Sequence, residues 1–302
     1  MKAAPTVPAV RTAAPADRPN ARAGLTAAPT DLANVPQYVG LAAALSVAGE
    51  QNRGALIGYL PVGYPDLRTS IDAMCAMVAG GADIVEVGIP YSDPGMDGPT
   101  IQAAVDVAVR SGIGMAEVLQ AVSAVRDAGA VPVVMSYWNP ISRYGVARFA
   151  ADLAAAGGAG AITPDLIPDE AGDWIAATEA TGLDRVFLVA PSSTDARIVM
   201  TTAACRGFVY AASTMGVTGV RSVVSDTATR LVSRVRSLAP GIAVCVGLGV
   251  SNADQAAEVA AFSDGVIVGS AFVRCLLDSP DANGVSATGA LATELAEGVR
   301  RR

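Results

Sequence analysis

From Leu41 onward, short apolar runs rich in Val and Ile alternate with longer Ala-rich stretches of helical period. The apolar runs are Ala55–Leu60, Asp83–Val87, Pro132–Ser136, Gly160–Thr163, Arg185–Val189, Gly207–Ala211, Ile242–Val246 and Gly265–Val268. Their hydrophobicity is continuous rather than alternating, the pattern of parallel strands covered on both faces. Between them Ser70–Ala79, Met115–Ala128, Ala147–Ala156, Glu170–Thr181, Thr227–Leu238 and Asn252–Ala260 read as helices, and Gly or Pro punctuates most joins. Eight strands alternating with helices over about 260 residues predict an α/β chain folded as a (β/α)8 TIM barrel with an additional N-terminal helix. An open doubly wound sheet is the alternative, but it calls for a Gly-rich fingerprint after the first strand. Leu60–Pro61–Val62–Gly63–Tyr64–Pro65 stands there instead.

Residues 1–36 break the pattern. They are rich in Ala and Pro, with Pro5, Pro8, Pro15, Pro19, Pro29 and Pro36 spread through them and no usable period. They read as a disordered extension, leaving residues 37–302 for the barrel. Lys2, Arg11, Arg18 and Arg22 against Asp17 and Asp31 make the extension basic. An organelle leader needs an amphipathic helix, which the prolines oppose, so a solvated tail and a cytoplasmic chain are expected.

Composition narrows the chemistry. A net charge of −7 argues against nucleic-acid binding, which needs clustered Lys and Arg. No uninterrupted apolar run of about 18 residues suggests a membrane span. Histidine is absent, which removes His bases, His-containing triads and His metal ligands together. Cys75, Cys205, Cys245 and Cys275 show no C-x-x-C spacing and read as small hydrophobes in a reducing compartment, with no metal site.

Barrel chemistry sits where strands end and βα-loops begin. Glu86 stands inside the apolar run Ile84–Val85–Glu86–Val87–Gly88. A buried carboxyl there is either paired with a cation from another strand or raised in pKa for acid–base work. The next loop adds Asp93 and Asp97, each a candidate acid or simply turn chemistry, with Pro99 near a helix start. Three later loops carry glycines: Thr214–Met215–Gly216–Val217–Thr218–Gly219, Gly247–Leu248–Gly249–Val250–Ser251 and Gly269–Ser270. Glycine lets backbone N–H groups approach an anion, and a helix N-terminus adds its positive end. The residues alone thus indicate a barrel enzyme acting on a small phosphorylated substrate through carboxylates.

The run Glu86–Val87–Gly88–Ile89–Pro90–Tyr91–Ser92–Asp93–Pro94, followed by Asp97–Gly98–Pro99–Thr100–Ile101–Gln102, resembles the signature of the tryptophan synthase α subunit family. Gly58–Pro65, Ser136–Pro140, Pro164–Glu170 and Ser213–Gly219 are similar to further family motifs in the same order. The resemblance implies retro-aldol cleavage of indole-3-glycerol phosphate to indole and glyceraldehyde 3-phosphate. It implies Glu86 as the acid–base and Asp97 as the partner of the indole N–H. Tyr210 would shape the pocket, and Thr218, Gly219, Gly249, Gly269 and Ser270 would hold the phosphate. It also implies a β subunit in an α2β2 heterotetramer, facing the loops Tyr91–Pro99 and Asp165–Glu170. Pyridoxal phosphate would belong to that subunit, with no cofactor in this chain. Departures from the family pattern fall at Gly95, Met96, Thr214 and Met215, in loops used for closure. The alternatives are a stand-alone indole-releasing lyase of a secondary pathway and a catalytically idle partner of a β subunit.

Overall fold

The computed structural model describes residues 40–212 and 221–302, so the expectations for residues 1–36 and for the 213–220 loop lie outside the described residues. Nine parallel strand segments form one sheet: β1 (Ala55–Pro61), β2 (Ile84–Gly88), β3 (Val131–Met135), β4 (Gly160–Ile162), β5 (Asp184–Val186), β6 (Leu188–Val189), β7 (Phe208–Ala212), β8 (Ala243–Gly247) and β9 (Gly265–Val268). Their order is β5-β4-β3-β2-β1-β9-β8-β7-β6. β5 and β6 are two pieces of the single strand expected at Arg185–Val189. Between them the Phe187 N–H leaves the ladder and points to Cys205 Sγ at 3.4 Å. The Phe187 carbonyl still accepts from Tyr210 N at 3.1 Å, and Arg185 O accepts from Arg206 N at 2.8 Å. These bonds join the two ends of the sheet and close an eight-position (β/α)8 barrel.

The helices start and stop on local chemistry. Asp66 accepts from Thr69 N at 2.9 Å to cap Leu67–Ala79, and Asn252 accepts from Gln255 N at 3.0 Å to cap Ala253–Ala260. Gly129 ends Met115–Ala128 with φ +102°, a conformation that favours glycine. Helix Ala282–Val299 is likewise capped, by Asp281 accepting from Asn283 N at 2.8 Å, but it carries Gly284, Gly289 and Gly298. Its small residues serve packing. A Cβ on Gly80, at the end of Leu67–Ala79, would lie 2.6 Å from both Ala292 Cβ and Gly289 O. The two helices therefore touch almost backbone to backbone, and tertiary contact overrides poor helix propensity.

Two apolar layers result. The larger lies between sheet and helices. The smaller fills the barrel and includes Ile57, Ile84, Val133, Phe208, Cys245 and Ile267. The expected additional helix, Leu41–Glu50, covers the N-terminal end of this interior with Leu41 and Leu45. Its first amide, Leu41 N, donates to Asp184 Oδ2 at 2.9 Å. Because side chains alternate along a strand, the same inward face continues from Ile57 to Tyr59, Ile84 to Glu86, Phe208 to Tyr210, Cys245 to Gly247 and Ile267 to Gly269. The interior is thus apolar at its base and becomes tyrosine, carboxyl and glycine at the C-terminal end.

Asp83, just before β2, ties the base together. It pairs with Arg53 through two bonds of 2.6 and 2.7 Å and accepts from Leu56 N at 2.9 Å. Asp83→Ala strands a guanidinium and a strand amide in a largely buried place and should cost about 2–3 kcal/mol. Urea unfolding of the variant chain measures this; a loss under about 0.5 kcal/mol would show the pair to be inert.

Candidate active site

The C-terminal rim of the barrel collects the polar residues along a continuous arc of strands. β2 carries Glu86, β1 carries Tyr59, Gly269 follows β9, Gly249 follows β8, and β7 carries Tyr210. Tyr59 is the register partner of Glu86, and Glu86 of Val133. Space for the two tyrosines comes from glycines on neighbouring strands. A Cβ on Gly88 would fall 2.8 Å from the Tyr59 hydroxyl, and one on Gly247 would fall 2.5 Å from the Tyr210 hydroxyl.

Glu86 is only 2% exposed, and its Oε1 has no hydrogen-bond partner among the described residues. Among the described residues, no cation of the kind a structural role requires pairs with it. Burial alone pushes its carboxyl from the ordinary 4.5 up to about 8. Asp97 sits in the loop after β2, half-buried. Burial raises its carboxyl to about 6, while a hydrogen bond from the Tyr137 hydroxyl pulls the other way. Tyr137 also accepts from Met96 N at 2.8 Å, so one hydroxyl holds both the loop backbone and its carboxylate. Its own ring lies against Tyr91, with centroids 5.3 Å apart. Asp97 O accepts from Gln102 Nε2 at 2.8 Å, which fixes the loop to helix Pro99–Arg110. Pro99 is the first residue of that helix, as the sequence suggests. Asp93, by contrast, is exposed, accepts from Ser92 Oγ at 2.6 Å and closes a turn through Gly95 N, so it is turn chemistry.

Gly269 is the N-cap of helix Ser270–Asp278, whose first turn has no side-chain cap. Its leading amides lack partners within the helix and are free to meet an anion. Gly249 adopts φ +64° in the loop after β8, the strand paired with β9. Arg274, one turn into the helix, donates to Thr100 Oγ1 at 2.9 Å and so links this helix to the one that follows Asp97. Thr218 and Gly219 lie outside the described residues, as do Thr214 and Met215. Among the described residues no group of three or more Cys, Asp or Glu is placed to hold a metal ion. None of their helices is long and apolar enough to cross a membrane. Sequence reasoning assigned no role to Tyr59 or Tyr137, although both fall within motifs it singled out. For Tyr59 the available signal was an inward-facing position toward the strand's C-terminal end; Tyr137 lies beyond β3, as the N-cap of the next helix.

A closed parallel barrel with polar residues gathered at its C-terminal rim has the layout of a barrel enzyme. The profile of the family described as tryptophan synthase alpha chain matches residues 45–299. The tryptophan synthase alpha chain of Thermobifida fusca is 59% identical over 259 residues, covering 85% of this chain and 96% of that protein. That of Mycobacteroides abscessus is 62% identical over 251 residues, covering 83% and 94%. Among solved structures, tryptophan synthase from Mycobacterium tuberculosis superposes with a TM-score of 0.80 at 56% identity, covering 86% of this chain and 98% of that one. The chain belongs to the tryptophan synthase alpha chain family, carbon–carbon lyases that cleave indole-3-glycerol phosphate in tryptophan biosynthesis.

The buried carboxyl makes stability depend on pH. The folded chain holds the Glu86 proton up to about 8, whereas the unfolded chain releases it near 4.5. Between these values the folded state binds more protons, so stability falls as pH rises. Glu86→Gln removes this dependence. The wild type should lose ground to the variant by a few kcal/mol from pH 5 to pH 8, read from urea unfolding across the range. A constant difference would show that the carboxyl titrates normally.

Proposed function

We propose that Glu86 and Asp97 carry out the cleavage of indole-3-glycerol phosphate between them. The observation that carries this reading is the separation of their pKa values, to about 8 and about 6. Near neutral pH, Glu86 then holds its proton while Asp97 is ionised, one acid beside one carboxylate. Glu86 protonates the indole carbon that bears the glycerol chain, and the ring nitrogen becomes cationic. The Asp97 carboxylate accepts a hydrogen bond from that N–H and stabilises the charge. Glu86, now ionised, takes the proton of the adjacent glycerol hydroxyl. The carbon–carbon bond breaks and its electron pair returns to the ring, releasing neutral indole and glyceraldehyde 3-phosphate and restoring protonated Glu86. The indole ring is the electron sink, so the reaction needs neither a Schiff-base lysine nor a metal.

Gly249, Gly269 and Ser270, with Thr218 and Gly219, bind the phosphate through backbone N–H groups, which suits an acidic chain without a basic patch. Tyr210 forms the wall beside Glu86. The chain works with a tryptophan synthase β subunit in an α2β2 assembly, where pyridoxal phosphate on the β subunit serves the condensation of indole with serine. Two large apolar side chains support that interface: Met96 at 57% and Ile167 at 41% exposure, on the two loops expected to face it. Trp138 N donates to Asp165 Oδ1 at 2.8 Å and anchors the second loop to the first residue after Tyr137. Four free cysteines fit a cytoplasmic location.

Glu86→Gln should lower kcat by at least about a thousandfold, and Asp97→Asn by about a hundredfold. The wild-type kcat/KM should trace a bell with limbs near pH 6 and pH 8, because Asp97 must lose a proton and Glu86 must keep one. Asp97→Asn should lose the acidic limb alone. Near-normal turnover by Glu86→Gln would sink the assignment. Assay of the chain with and without a β subunit completes the test. Marked activation is expected of a biosynthetic subunit, and high unassisted turnover would favour an indole-releasing lyase.

A further inference from the structure

Tyr59 is buried at 7% exposure, yet no described residue hydrogen-bonds its hydroxyl, which is not fully enclosed. Its place is set from three sides. Register puts it opposite Glu86. The ring tip lies over Gly88, with the hydroxyl 2.8 Å from where a Cβ would be. The ring edge lies 3.4 Å from the corresponding point on Gly269, at the start of helix Ser270–Asp278. Tyr59 therefore stands between the carboxyl that handles the scissile bond and the amides that hold the phosphate. Any chain running from one to the other passes its ring. Both Asp97 and Glu86 act on the phenol electrostatically and, with burial, hold its proton on, so it is a donor and not a phenolate. A buried hydroxyl with no partner among the described residues calls for a ligand group, since leaving it unpaired is unfavourable.

We infer that the Tyr59 hydroxyl donates a hydrogen bond to a hydroxyl of the phosphorylated glycerol chain of the substrate, holding the chain in register between Glu86 and Gly269. This rests on the proposed reading of the site. The bond selects for a hydroxylated phosphate ester over a plain alkyl one. It is present before and during bond cleavage, so it acts on binding and leaves the chemical step to Glu86 and Asp97.

Tyr59→Phe keeps the ring, its packing over Gly88 and its contact with Gly269. Steady-state cleavage of indole-3-glycerol phosphate should show KM raised about tenfold, with kcat within about twofold. The second probe is 3-(indol-3-yl)propyl phosphate, the same skeleton without its two hydroxyls, used as a competitive inhibitor. Its inhibition constant should be the same for wild type and Tyr59→Phe. An unchanged KM overturns the inference, as does equal weakening of both ligands, which would assign the ring a packing role only. A fall in kcat at unchanged KM also overturns it, by placing the hydroxyl in the chemical step. Wild-type protein that fails to cleave indole-3-glycerol phosphate would instead overturn the reading of the site, whatever the variant does.

Discussion

The rim of this barrel is arranged around an uncompensated carboxyl. Glu86 is enclosed in the barrel interior without a cation and with one oxygen unpartnered among the described residues. Such a group is tolerated because it stays protonated, and burial without a cation among the described residues keeps it so. A guanidinium placed beside it would stabilise the fold and remove the acid. Some basic side chains that do pair, such as Arg53 with Asp83 and Arg236 with Asp264, lie toward the opposite end of the strands. Pairs also occur on the rim loops, Arg197 with Asp169 and Arg234 with Asp195, but no described cation pairs with Glu86 itself.

The second constraint is volume. A barrel of eight positions fills its own interior with side chains, and room for a ligand exists only where the fill is withdrawn. The strands do this by ending their inward faces in glycine: Gly88, Gly247 and Gly269. The tyrosines then lean across into part of the vacated space. Below them Ile57, Ile84, Phe208 and Ile267 form a floor that separates the site from helix Leu41–Glu50.

Much of this was legible in the sequence. The strands were marked by continuous Val and Ile runs, and Glu86 by its conflict with the run that contains it. Several helices were placed by their period, but the Asp66 cap moves the start of one from the expected Ser70 to Leu67, and Asn252 caps its helix rather than opening it. Other features depended on contacts that no local pattern encodes. The break in the fifth strand rests on the Cys205 sulfur, 18 residues further along the chain. Helix Ala282–Val299, to which the sequence pattern assigned no element, carries glycines whose role is explained by its close approach to Gly80. Taken as residues alone, Asp93 and Asp97 were equal candidates, and only the family resemblance favoured Asp97. What separates them is Tyr137, which reaches Asp97 and Met96 from β3's end of the sheet, while Asp93 faces solvent. The glycine loops were visible as a set, but the free amides at Ser270 appear only once Gly269 is seen to cap a helix.

The Tyr137 hydroxyl has a single hydrogen to give and lone pairs to receive with. It receives the Met96 N–H and gives its hydrogen to Asp97. A protonated Asp97 gains less from that donor than an ionised one does, so the grip on the Met96 backbone changes with the charge on the neighbouring side chain. Where the loop sits and whether Asp97 carries a proton are thus not independent variables. By linkage, whatever holds the loop down lowers the affinity of Asp97 for its proton, and whatever removes that proton holds the loop down.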